Sequence, residues 1–361
     1  MMQDYKMKTA WFIVLTAGML LRAETPQGNA QGAKPVQAAA PSKYVIAHKF
    51  PIAGNDGWDF ILADETKGRL FVSHGTQVQV VDEKTGKLLG TVPDTKGVHG
   101  IAIVPDLNRG FTSNGKDTSV TVFDLETYAT LGKIRTTGNN PDAILYDPFS
   151  RLVFTFNGKS SNATVIDPKT NSVIATIALE GKPEVPVSDG KGTLFVNLED
   201  QNRVTTLDTK TKKVLGTFSI APGESPSGMA IDLEDQRLFI VCENKLMIVA
   251  DSKTHEVVAL VPIGDKVDGV AFDPVLKRAY ASNGEGTVTV VQETDKDHFK
   301  VLETVATQKG ARTIALDAKT HHIFLPTAEF GAPPEPTTEN PKPRPAIKPG
   351  TFVVIDVEPS T

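Results

Sequence analysis

Residues 154–170 read FTFNGKSSNATVIDPKT, and close variants recur along the chain: FTSNGKDTSVTVFDLET at 111–127 and YASNGEGTVTVVQE at 280–293. Each is an aromatic, a short polar stop at Asn-Gly, then an apolar run that alternates with polar residues. Alternation with period two describes a half-buried β-strand, and Asn-Gly between two such runs describes a hairpin. Aligning on the aromatic gives seven copies, at Phe71, Phe111, Phe154, Phe195, Phe239, Tyr280 and Phe324, spaced 40, 43, 41, 44, 41 and 44 residues apart. An apolar strand then ends at Asp82, Asp124, Asp167, Asp208 and Asp251, each followed three positions later by Thr, as in Asp82 and Thr85. Asp-x-x-Thr after a strand forms a turn, because the carboxylate accepts the backbone N–H groups of the bend. Seven residues before the aromatic lies a second turn, at Asp64, Asp147, Asp232, Asp273 and Asp317.

Each unit thus holds four strands in about 42 residues, the signature of a propeller blade. Seven units predict an all-β, seven-bladed propeller of four-stranded antiparallel blades. The last unit reaches the C-terminus one strand short, and YVIAHKFPI at 44–52 has no partner. Pairing that N-terminal strand into the last blade closes the ring and leaves no frayed sheet edge.

The ends and the charge narrow the setting. Lys6 and Lys8 precede the apolar run AWFIVLTAGMLL at 10–21, which is too short for a comfortable membrane span. The pattern predicts a signal peptide over 1–23, followed by a disordered linker over 24–42 rich in Gln, Ala, Pro and Gly. The propeller occupies 43–361, and the expected location is periplasmic or secreted. With 1–23 removed, Lys6, Lys8, Arg22 and Asp4 are lost, so the net charge moves from −5 to −7. That balance, with no basic run, disfavours nucleic acid as a partner. Cys242 is the single cysteine, so there is no disulfide framework, and a monomer is expected.

Register identifies the candidate site. Five residues before each A–B turn, at the start of the innermost strand, stand Asp59, His99, Asp142, Glu184, Ser227, Asp268 and Arg312. All seven are polar and face the mouth of the central channel. A second ring is expected where the next strand ends on the same face, at His74, Asn114, Asn157, Glu199, Glu243, Asn283 and Glu329, with Trp58 and Phe60 adding apolar surface. Crowded carboxylates need a cation, a proton or a basic neighbour. Asp59, His99, Asp142, Glu184 and Asp268 are therefore candidate ligands of a divalent metal; oxygen donors suit calcium or magnesium, and histidine tilts the set toward zinc or manganese. Arg312 could instead fork a ligand carboxylate or phosphate, with Trp58, His74, Asn114, Asn157, Glu243 and Asn283 completing a pocket for a small molecule or a protein loop.

The aromatic-x-x-Asn copies resemble the Tyr-Val-Thr-Asn repeat of the YVTN β-propeller family, and the pattern over 43–361 is similar to its YncE-like exported members. The family's Asn matches Asn114, Asn157 and Asn283, while His74, Leu198, Cys242 and Thr327 replace it. The resemblance implies an exported binding protein; related propellers include lactonases and a metal-dependent lyase. The leading expectation is a binding propeller with an acidic funnel for a small ligand, a cation or a protein partner. No Gly-x-Ser-x-Gly elbow or short metal motif is present, which favours the binding reading. The alternative is a metal-assisted lyase or lactone hydrolase on the same face, with the ring carboxylates holding the metal and His99 or His74 as acid or base. Residues 331–350, rich in proline, are an insertion in the last blade, expected as a lid or docking arm over the funnel.

Overall fold

The structure is a computed structural model that describes residues 43–337, 343 and 345–360. The signal peptide and linker expected over 1–42 lie outside the described residues. Seven four-stranded antiparallel sheets make seven blades. In the first, strand A is Trp58–Asp64, B is Arg69–His74, C is Gln77–Asp82 and D is Leu88–Val92. The last sheet runs Ala315–Asp317, His322–Thr327, Val353–Pro359 and then Tyr44–Pro51, with Tyr44 opposite Pro359 and Pro51 opposite Val353. The ring is closed by the chain's own N-terminal strand, as its unpaired pattern implied.

Burial follows the strand's place in the blade. Strand B is enclosed by neighbouring blades on both faces, so all six residues of Arg69–His74 are buried, whereas the outermost strand Lys213–Ser219 stays largely exposed. The repeat aromatics Phe71, Phe111, Phe154 and Phe239 are fully buried. The core lies between blades rather than inside them: Phe239, Val241 and Met247 of blade five pack with Ala279, Ala281 and Val291 of blade six.

The turns use the chemistry read from the sequence. Asp82 accepts the Thr85 N–H at 2.9 Å and its hydroxyl at 2.7 Å, and Asp124, Asp208 and Asp251 likewise accept from Thr127, Thr211 and Thr254. Those bonds to the carboxylate hold Asp82 and Asp208 below the ordinary carboxylate range. Among the described residues, no helix is long and apolar enough to cross a membrane.

Candidate functional site in the central funnel

The Asn-Gly stop is explained by two adjacent side chains with separate tasks. Ser113 Oγ accepts the Gly100 N–H at 2.9 Å and donates across the blade boundary to the Asp142 carbonyl. Ser73 accepts from Asp59 N and donates to Phe60 O, while Ser282 donates to Gly269 O and to Arg312 O of the next blade. Asn197 does the same in blade four, donating to Ser227 O and Gly228 O. These residues pin the starts of the inner strands, which carry the polar ring. Close approach is also needed there: a Cβ on Gly228 would lie 2.7 Å from the Asp268 carbonyl oxygen.

The neighbouring Asn has another role and another location. Asn157 donates to Asn162 Oδ1 at 2.7 Å and Thr164 Oγ1 at 2.9 Å; Asn114 donates to Ser119 and Thr121, and Asn283 to Thr287 and Thr289. In blade one His74 bonds Gln79 Oε1 through Nδ1 and the Asp56 carbonyl through Nε2. All four side chains are fully buried. The expected second ring of His74, Asn114, Asn157 and Asn283 is therefore corrected: these are latches between strands B and C, turned into the blade by the pleat and shut off from the funnel. A hydroxyl or amide four to seven residues downstream is the sequence signal for that latch.

The first ring does converge. His99 Nδ1 donates to Asp59 Oδ2 at 2.6 Å and lies 3.6 Å from Asp142 Oδ1. One donor atom from each of Asp59, His99 and Asp142 falls within 4.8 Å of the others. Arg312 Nη2 is 3.3 Å from Asp59 Oδ1, and its other Nη pairs with Asp268. Lys182, which sequence reasoning missed, lies 2.8 Å from Glu184 and pairs with Glu199. Its place two residues before Glu184, immediately ahead of the strand Pro183–Ser188, was the available signal. Glu184 already has Lys182 as a counter-ion and Asp268 has Arg312, which also reaches Asp59 and so links Asp268 to the Asp59, His99 and Asp142 group.

Burial pulls the His99 pKa down, but the Asp59 hydrogen bond and the charges of Asp142, Asp59 and Glu184 outweigh it, and the net direction is up. Asp142 is raised by burial, with Asp59 adding to the effect and His99, Lys182 and Arg312 opposing it. Burial, reinforced by the Asp142 charge, pushes Glu184 up to about 7. Two carboxylates and an imidazole whose pKa values are all shifted up describe a site short of positive charge.

Beside this group is a cavity of about 500 Å³ lined by Glu184, Glu199, Ser227, Glu243, Asp265, Lys266, Val267, Asp268 and Arg312. Glu243 thus lines the same cavity as Glu184, Asp268 and Arg312. Trp58 stacks on Phe352 at 5.2 Å and lies 5.9 Å from Phe330. It borders a second hollow of about 420 Å³ shared with Arg312, Phe330, Pro345 and Ile347. The described base of the 331–350 insertion is anchored there, with Phe330 bridged to Ile347 and Gly331 N donating to Ala346 O. His321 and His322 lie at the opposite end of the blades, bonded to Asp273 and Asp356.

No family model matches the chain, and no curated protein does. Solved structures do. The chain is similar to Kuenenia stuttgartiensis hydrazine synthase at 18% identity and a TM-score of 0.67, over 76% of this chain and 94% of that one. It is similar to U3-55K at 9% identity and a TM-score of 0.72, over 85% and 97%. At these identities the likeness establishes a shared propeller fold, a common scaffold for binding, and nothing finer.

Proposed function

We propose that this chain is an exported binding propeller whose funnel holds a divalent cation on Asp59, His99 and Asp142, next to a pocket for a small hydroxylated or cationic ligand. The observation that carries the reading is the convergence of two carboxylates and one imidazole, drawn from three blades, within 4.8 Å. One nitrogen and two oxygen donors favour manganese or zinc over calcium. Glu199, Glu243 and Asp268 around the adjoining cavity suit hydroxyls or an amine. The three copies that resemble the YVTN repeat and the leader pattern at 1–23 support export to the periplasm or beyond.

Titration with Mn²⁺, Zn²⁺, Ca²⁺ and Mg²⁺, read by Trp58 fluorescence and calorimetry, tests this. A saturable response to Mn²⁺ or Zn²⁺ that Asp59→Asn/Asp142→Asn abolishes supports it; the same affinity in the double variant removes it. One feature favours a second reading as a metal-assisted lyase or lactone hydrolase: the Asp59 hydrogen bond orients His99 as a general acid or base is oriented. Chelator-sensitive turnover of a lactone, lost in His99→Gln, would establish it.

A further inference from the structure

On the end of the blades opposite the funnel, neighbouring blades are tied by an arginine at the first position of strand B. Arg69 of blade one donates to Leu125 O and to Tyr128 Oη at 3.1 Å, both in the C–D turn of blade two. Arg109 of blade two donates to Pro168 O, to Lys169 O at 3.1 Å and to Asn171 Oδ1 at 3.1 Å in blade three. Arg237 reaches Lys296 O and Asp297 in blade six, and Arg278 reaches Tyr44 Oη in the closing blade. The first two share one pattern: a guanidinium meets the carbonyl just after the strand-C Asp and the side chain four residues after it.

Three blades lack the arginine. In blade three the position is Leu152, which packs on the apolar cluster between blades three and four. In blade seven it is His322, held by Asp356 at 2.7 Å and Glu358 at 3.2 Å. In blade four it is Thr193, opposite Asp208 in the ladder, and here the space stays open as a cleft of about 460 Å³ between blades four and five.

The far wall of that cleft repeats the receptor. Ser252, Lys253 and His255 stand where Pro168, Lys169 and Asn171 receive Arg109, and all three line the cleft. His255 and Asn171 share the left-handed backbone, at φ 64° and 55°. The near wall offers Phe195, the counterpart of Phe71, over which the Arg69 guanidinium sits at 5.1 Å. The His255 ring is stacked on Phe218 at 4.4 Å, which fixes its orientation. Asp189 supplies a carboxylate at the cleft, as Asp64 does for Arg69 at 3.0 Å. The two lysines of the lining, Lys191 and Lys253, do not close the cleft to a cation: both are exposed, and Lys169, the counterpart of Lys253, offers its carbonyl to Arg109 while remaining exposed.

We propose that the cleft between blades four and five is a recognition site for an arginine side chain of a partner peptide, which occupies the place that Thr193 leaves vacant. A planar, multiply donating guanidinium matches this receptor, and a lysine ammonium does not. The site is separate from the funnel and does not depend on the function proposed for it.

Calorimetry of the full chain with Ac-Gly-Arg-Gly-NH2 and Ac-Gly-Lys-Gly-NH2 tests the proposal. The expected result is saturable binding of the arginine peptide, at least tenfold tighter than the lysine peptide. Thr193→Arg fills the cleft from within; it should abolish that binding, raise Tm and leave the cation response of Trp58 unchanged. His255→Ala should weaken binding at least threefold, and it decides the matter if Thr193→Arg does not fold. Equal affinity for the two peptides overturns the proposal, as does no saturation by about 10 mM. Binding lost in Asp142→Asn/Asp268→Asn but kept in Thr193→Arg would place the peptide in the funnel and also overturn it.

Discussion

Asn157 and Asp142 lie one residue apart across the same pair of strands, since Asn157 is the register partner of Pro141. Asn157 is fully buried and latches its hairpin, while the Asp142 side chain faces the funnel with Asp59 and His99. Both are polar residues at strand ends on one face of the ring. The difference comes from the pleat: successive side chains point to opposite sides, so a shift of one position exchanges a structural amide for a ligand-facing carboxylate. The Asn shared by blades two, three and six serves the hairpin, whereas the position shifted by one on the inner strand reaches the channel.

The largest effect should come from the latch. Asn157→Ala leaves Asn162 Oδ1 without this donor and takes one N–H from Thr164, which keeps the Thr137 N–H, and should cost about 2–3 kcal/mol in urea unfolding. Asp142→Asn in the same assay should be neutral or stabilising, because it relieves carboxylate crowding. Equal losses in the two variants would break the distinction.

A buried carboxylate outside the funnel sharpens it next. Glu293 is 3% exposed, and burial together with the Asp232 charge pushes its pKa from 4.5 up to about 8. The folded state keeps a proton that the unfolded chain has already released. Stability from this group is therefore complete below pH 4.5 and is lost as pH rises through 8. Glu293→Gln should raise Tm at pH 9 by roughly 2–5 °C and change little at pH 5, as scanning calorimetry at both values would show.

In the funnel, Asp142→Asn should weaken Mn²⁺ or Zn²⁺ binding at least tenfold, about 1.4 kcal/mol, with the fold intact by circular dichroism. The smallest effect belongs to the residue that links the two layers. Ser113→Ala removes the brace on the Asp142 backbone and should cost about 1 kcal/mol of stability. It should also lower cation affinity a few-fold, since a ligand on an unbraced strand start is less well oriented. An unchanged affinity would mean that the serine only pins the strand.

The fold was legible because a propeller is a local code repeated. Spacing near 42 residues, Asp-x-x-Thr turns and the unpaired strand at 44–52 each report on contacts close in sequence, and closure was the one long-range inference they required. The first ring at Asp59, His99, Asp142, Glu184, Asp268 and Arg312 was legible by register for the same reason. His74, Asn114, Asn157 and Asn283 were misplaced because the alignment identified a strand end without the side of the pleat. Lys182 was passed over because alignment compares equivalent positions, whereas its partners are Glu184 on the inner strand and Glu199 in the turn after the next strand of the same blade.

Sequence by itself determined the number of blades, the closing strand and the polar ring at the starts of the inner strands, since all of these follow from short-range patterning. Only the tertiary structure decided which carboxylates are already neutralised by Arg312 or Lys182, which three side chains meet, and where Thr193 leaves a cleft. Apart from the Lys182 pairs within blade four, those outcomes depend on contacts between blades, where residues forty or more positions apart compete for the same few ångströms.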